Sequence, residues 1–306
     1  GKTIRFLVGV GAGGDYDLQA RLISRYLGKN LPGAPTVIAE NMVGAGGLSM
    51  ANYLYNIAPK DGSALGIIPN NFPALQAAGG RSVQFDARQF NWLGSITSET
   101  ETMVVWKTTG VKNIEDARKV EIIAGASGRG AITYTFPAMM NDLIGTKFKI
   151  VTGYSGGNAI NLAMERGEVQ ARINSWSSWK VTKPEWVQSG AFVVIAQGAR
   201  RHPDLGDVPS VIDLARAGDD REVVRLITLG AALGRPVAAP PGVPGERVAA
   251  LREAFMATTS NPGLLAEAAA MRLDIEPLTG ADMQRMIANV LDTPARVVAR
   301  AKEFLE

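Results

Sequence analysis

Four glycines stand within six residues, at Gly9, Gly11, Gly13 and Gly14, directly after the apolar run from Ile4 to Val8. Gly9-Val-Gly-Ala-Gly-Gly14 satisfies G-x-G-x-x-G between a strand and a helix, the setting of a dinucleotide site, and Glu40 ends the next apolar run where a ribose-binding acid would stand. A second turn, Gly153-Tyr-Ser-Gly-Gly157, satisfies G-x-S-x-G, which would make Ser155 a hydrolase nucleophile. Such a serine needs a histidine base. The chain has one histidine, His202, in the solvated-looking loop Ala-Arg-Arg-His-Pro-Asp. Glycine clusters meet both patterns easily. What the two turns share is simpler chemistry: glycines let a ligand approach the main chain, and the helix start that follows presents unpaired N–H groups and a positive dipole end. That makes an anion seat, which suits a carboxylate as well as a phosphate.

Two arginines extend this reading. Arg129 lies inside the turn Ser127-Gly-Arg-Gly130, where a guanidinium can meet a carboxylate in bidentate fashion. Arg172 falls in Val-Gln-Ala-Arg-Ile-Asn-Ser, a strand with mostly apolar neighbours, which predicts a buried arginine in a structural salt bridge. Trp176, Trp179 and Trp186, spaced by three and seven, fit one packed helix face better than a pocket wall.

The elements that must position these residues alternate. Strands are predicted at 4–8, 36–40, 65–69, 90–96, 103–107, 121–126, 148–152, 169–174, 192–197 and 234–239. Helices are predicted at 15–30, from Gly47 through Ala58, at 131–144, 158–166, 246–259, 262–271 and 280–303, with a mostly helical stretch over 208–229 interrupted near Gly218. Strand–helix alternation implies mainly parallel sheets covered on both faces, with ligands bound beyond the carboxyl ends of the strands. Two glycine turns precede the acidic, threonine-rich stretch Thr97–Thr102 and two follow it. The expectation is two α/β lobes facing one cleft, the chain crossing near that stretch: residues 1–102 with 234–306 form the first lobe, and 103–233 the second.

Bulk properties narrow the classes. With 306 residues, 46% hydrophobic and 20% charged, the chain is of ordinary globular composition. No cysteine is present, so disulfides and thiolate metal sites are excluded, and a single histidine leaves only oxygen ligands without calcium-loop spacing. A net charge of +3 from scattered basic residues offers no nucleic-acid surface. No apolar run reaches the ~18 residues of a membrane span. The first strand starts almost at once, and removal of a preceding signal peptide is the expectation.

Several segments, in order, resemble one family: Val8 to Asp17, Glu40-Asn-Met-Val-Gly-Ala-Gly-Gly47, Ala58-Pro-Lys-Asp-Gly62, Gly125-Ala-Ser-Gly-Arg-Gly130, Gly153 to Gly157 with Met164-Glu-Arg-Gly-Glu-Val169, Asp207-Val-Pro-Ser210 and Ala239-Pro-Pro-Gly-Val-Pro244. The chain is thereby similar to the extracytoplasmic solute-binding proteins of tripartite tricarboxylate transporters, the Bug family. The resemblance implies a type II-like periplasmic binding protein that performs no chemistry, needs no cofactor, acts as a monomer, and delivers a carboxylate to membrane subunits. It places Gly13, Gly14, Tyr16 and Asp17 in the first-lobe seat, with Asp17 holding the turn rather than touching the anion. Opposite lie Ser127, Gly128, Arg129 and Gly130, with Tyr154 and Ser155 nearby. Asn70, Arg172 and Ser175 complete the candidate ligand-binding set. The family usually has proline and an aromatic at Gly9 and Val10, often proline at Ala12, and a small residue or amide at Arg129. The extra cation at Arg129 points to a doubly charged ligand, a short C4-type dicarboxylate. An NAD(P)-dependent oxidoreductase using Gly9–Gly14 and a serine hydrolase using Ser155 are the competing readings.

Overall fold

A computed structural model describes residues 3–80, 82–216, 218–273 and 275–305. The first glycine turn joins strand β1 (Thr3–Val8) to helix α1 (Asp15–Leu27), and β2 (Thr36–Asn41), α2 (Leu48–Asn56), β3 (Ala64–Ile67) and α3 (Phe72–Ala77) repeat the unit. After β4 (Asn91–Ser95) the chain crosses to β5 (Glu101–Trp106), and α4 (Ile114–Ala117), β6 (Ile122–Gly125) and α5 (Ile132–Met139) follow. Next come β7 (Phe148–Val151), α6 (Gly157–Glu165), β8 (Ala171–Ser175), α7 (Trp176–Thr182), α8 (Pro184–Ser189) and β9 (Phe192–Gln197). Helices α9 (Val211–Leu214) and α10 (Asp219–Leu233) lead back through β10 (Pro236–Ala239). The chain ends with α11 (Gly245–Thr259), α12 (Pro262–Ala270), β11 (Leu278–Thr279), α13 (Gly280–Leu291) and α14 (Ala295–Leu305).

Two sheets result, ordered β11-β4-β10-β3-β1-β2 and β7-β6-β8-β5-β9. This is the expected two-sheet α/β architecture, with one refinement. Both sheets are mixed: β2, β1 and β3 are mutually parallel, whereas β10 runs antiparallel to β3 and β4. In the second sheet β7, β6 and β8 are parallel, and β5 runs against both β8 and β9. β11 is also reversed, against β4, but it is β5 and β10 that carry the chain from one sheet into the other, so each enters its new sheet from the opposite end.

Strand β3 is buried at every position, as a strand covered on both faces must be. The largest core is continuous between the sheets: Leu48, Phe72, Leu75, Met103, Phe136, Val223, Ile227 and Phe304 belong to one cluster. Helix α10 packs on α3, α13 and α14 as well as on α5. Trp179 and Trp186 pack with Phe192 and Trp106 behind β5, as a core face rather than a pocket wall. The single helix predicted over 280–303 is two helices, because Asp292-Thr-Pro294 breaks it where proline cannot supply an N–H. Among the described residues no helix is long and apolar enough to cross a membrane.

Candidate functional site

The first glycine turn is held from below. Gly13 has φ +78°, a left-handed conformation that glycine takes without a Cβ penalty, and its N–H donates to Asp17 Oδ2 at 2.9 Å. Arg21 Nε (2.9 Å) and Asn41 Nδ2 (2.8 Å) also donate to the Asp17 carboxylate. Burial pushes the Asp17 carboxyl up, but these three donors together hold it below the usual range. Asp17 thus supports the turn from beneath the seat. Helix α1 starts after Gly14 with no side-chain cap, so its first N–H groups stay open.

Helices α5 and α6 start in the same way, after Ala131 and Gly156, neither with a side-chain cap. By contrast α12 and α13 are capped by the side chains of Asn261 and Thr279. The uncapped starts of α1, α5 and α6 converge on one cavity of about 90 Å³, lined by Gly13, Gly14, Ser127, Ile132, Gly156 and Gly157 among others. At ~10–15 Å³ per water such a space admits several waters or one small molecule.

Two buried guanidiniums reach this cavity. Arg172 Nη1 donates to Gly157 O (2.7 Å) and to Asn161 Oδ1 (2.6 Å), Nε donates to Ile173 O (3.2 Å), and the group lies 5.0 Å from the Trp179 ring centre. A Cβ on Gly157 would stand 3.0 Å from Arg172 Nη2, so this glycine makes room for the cation rather than for a turn. Arg172 forms no ion pair with any described residue, which corrects the expected salt bridge: its partners are two carbonyls and an amide. Burial pulls its pKa down to about 10, with Glu101 and Asp15 pulling the other way, so it stays charged at neutral pH. Arg235, just before β10, is fully engaged. Nε donates to Asp15 Oδ2 (2.6 Å), Nη2 donates to Ser175 Oγ (2.9 Å) and lies 3.5 Å from Glu99 Oε1, and the group sits 4.4 Å from the Tyr16 ring centre. Burial opposes its charge, but Asp15 and Glu99 hold it firmly protonated.

The acids are the surprise of the site. Glu99 is buried, accepts from Ser177 Oγ, and is pushed up chiefly by burial. Glu101 lines the cavity at 4% exposure and forms no ion pair with any described residue. Burial pushes its carboxyl up to about 7, against the pull of Arg235. With Asp15, three carboxylates surround two guanidiniums, a formal charge of −1 if all are ionised. Two neutral donors complete the wall: Asn70 Nδ2 and Asn174 Nδ2 are buried without an acceptor.

Of the residues singled out from sequence, Gly13, Gly14, Tyr16, Asn70, Ser127, Arg172 and Ser175 line the cavity. Tyr16 Oη accepts from the Asn70 N–H at 3.1 Å, and its hydroxyl is pushed up to about 12, mainly by burial. Gly128, Gly130 and Ser155 stand instead where the turns of the two sheets touch. Gly11 N donates to Ser155 O (2.9 Å), Asn71 Nδ2 donates to Gly130 O (2.8 Å), and a Cβ on Gly128 would lie 3.0 Å from Gly46 N. Tyr154 packs with the tryptophan cluster. Arg129 requires correction. Its side chain is exposed, lies 5.6 Å from the Tyr134 ring centre and lines a separate surface hollow with Asp142 and Glu303. The turn directs it outward, so it lends no support to a doubly charged ligand.

The two competing motifs gain no geometry. Glu40 is paired with Arg5 at 2.8 Å rather than turned toward the glycines. His202 accepts the Asp204 N–H at Nδ1 (3.1 Å), with its ring 6.4 Å from that of Trp176, while Ser155 touches Gly11, so serine and histidine share no site. Asp15, Glu99, Glu101, Asn174 and Arg235 were missed by sequence reasoning. A usable signal was present in the lone charge of Gly234-Arg-Pro, directly before an apolar returning strand, and in two glutamates inside a segment that crosses between sheets.

The sequence matches no protein-family model and no curated protein. Its structure is similar to solved ones along nearly the whole length. R. palustris Rpa4515 with adipate aligns at TM-score 0.76 and 21% identity, covering 98% of this chain and 97% of that one. MatC from Rhodopseudomonas palustris with bound malate aligns at 0.75 and 18%, covering 100% and 99%. The periplasmic binding protein BugD aligns at 0.75 and 17%, covering 97% of each. The chain therefore has the two-lobed α/β fold of periplasmic binding proteins.

Proposed function

We propose that this chain is a periplasmic solute-binding receptor of the tripartite tricarboxylate transporter type, which captures a small carboxylate between its lobes and performs no chemistry. The observation that carries the reading is the convergence of three uncapped helix starts and the carboxylate-free Arg172 on one buried cavity. Open N–H groups and a guanidinium with no carboxylate partner among the described residues form charge-assisted bonds of about 1.5–3 kcal/mol each to a carboxylate. The ligands held by Rpa4515 and MatC, adipate and malate, support this class, and a C4 dicarboxylate falls within it.

In this account residues 1–102 with 234–306 form one lobe and 103–233 the other. The carboxylate favours the closed arrangement because α1 belongs to one lobe and Arg172 to the other, so the ligand meets both only when they approach. A monomer in that state is what the membrane subunits would engage. The test is a thermal-shift panel of mono-, di- and tricarboxylates, with NAD and ATP as controls. A ligand that binds only the folded chain adds ~2.7 kcal/mol at a hundredfold excess over its Kd. A carboxylate is expected to raise the Tm; a response to the nucleotides alone would return the glycine turn to the dinucleotide reading.

A further inference from the structure

Arg235 is saturated by Asp15, Glu99 and Ser175, which leaves Arg172 as the one guanidinium lining the cavity without a carboxylate partner among the described residues. One free guanidinium and the helix starts suit one carboxylate. Set beside them is Glu101, a buried acid that lines the same cavity without an ion-pair partner. Asn70 lies close enough to favour the charged form of Glu101, without the alignment of a hydrogen bond. The other charged or titratable groups that act on Glu101 or feel its field are Arg235, Glu99, Asp15, Tyr16 and Arg172. An ionised carboxylate buried without a cation is costly unless a partner arrives. Among the described residues no three acidic or imidazole groups form a metal ligand set, so an organic cation fits better than a metal ion.

We propose that Glu101 is an ammonium subsite, and that the ligand of this cavity is a small amino carboxylate, a zwitterion whose carboxylate faces Arg172 and the helix starts while its ammonium meets Glu101. This rests on the carboxylate reading above and narrows it. The buried N–H groups of Asn70 and Asn174 supply further donors for the carboxylate end. A zwitterion leaves the net charge of the site unchanged while pairing both groups that lack an ion-pair partner: its negative end opposes Arg172 and its positive end meets Glu101. Glu101 must be ionised to accept the ammonium, and its carboxyl in the empty site titrates at about 7. Binding of the zwitterion therefore strengthens as pH rises through that value. A second carboxylate in the same place would instead require protonated Glu101, and would bind better as pH falls.

The test is calorimetric titration with two matched pairs, succinate against aspartate and butyrate against 2-aminobutyrate, at pH values above and below about 7. In at least one pair the amino member is expected to bind about tenfold or more tighter at the higher pH, as loss of a charge-assisted bond predicts, and to lose that advantage at the lower pH. Glu101→Gln should erase the advantage while the plain carboxylate still binds, which shows that the variant folds. If plain carboxylates bind as well as their amino partners, or tighten as pH falls, Glu101 is a proton donor and the ammonium subsite is wrong while the carboxylate reading stands. If neither series binds and no member of the wider carboxylate panel raises the Tm, the carboxylate reading fails and takes this inference with it.

Discussion

Glu101 shows how a single residue ties stability to function. Its folded-state pKa of about 7 stands above the ordinary 4.5 because burial disfavours the charge. The folded chain therefore binds a proton more tightly than the unfolded one between those values, and stability falls as pH rises through the window. Every tenfold difference in proton affinity is worth about 1.4 kcal/mol, which sets the full cost of the ionised group at ~3 kcal/mol. Glu101→Gln keeps the shape without the charge. We expect it to raise the urea-unfolding free energy of the ligand-free chain by about 1–3 kcal/mol at pH 8, the gain fading toward the ordinary carboxylate range. A purely structural carboxylate would give the reverse, a loss at pH 8. A stability cost at a cavity-lining residue is what the ammonium subsite proposed above predicts for the empty site.

At the scale of elements, the site consists of helix starts, and the support beneath them is as telling as the starts themselves. Asp17 accepts from Gly13, Arg21 and Asn41, tying the first glycine turn to α1 and to the end of β2. Asp17→Ala leaves a turn N–H and an arginine without their acceptor, and about 2 kcal/mol of stability is expected to go with it in urea unfolding. A change below ~0.5 kcal/mol would show that the turn is held by other means. These elements were legible in the sequence because glycine clusters and apolar periods are local signals. The strand of Arg172 and the helix after Gly156 were found the same way. Local signals are also why Arg129 misled: a turn's sequence marks its place but not the direction of its side chain, and here that side chain lies on Tyr134. The segment Thr97–Thr102 hid its role for a related reason. Its polar composition suits an exposed crossing, yet Glu99, Thr100, Glu101 and Thr102 are buried, because the crossing runs between the lobes and not over them.

At the scale of the whole molecule, the chain passes between two sheets through β5 and β10, and the buried charges collect at those passages. Arg235 stands immediately before β10 and bonds to Asp15 at the start of α1 and to Ser175 at the end of β8. One side chain thus fastens both sheets beside the cavity. That contact is non-local, with partners 220 and 60 residues away, and no pattern in a single sequence specifies such a pairing. The turns also meet directly, Gly11 on Ser155 and Asn71 on Gly130, so the cavity is enclosed by the same loops that were expected to hold the ligand. The fold that brings these turns together is the one shared with Rpa4515, MatC and BugD. The most direct measurement is a crystal structure of the chain grown with the best binder from the carboxylate panel. The account predicts a carboxylate group between the first turn of α1 and the Arg172 guanidinium, with the turns of both lobes closed around it. Ligand density at the outer hollow beside Arg129, or none in the central cavity, would contradict it.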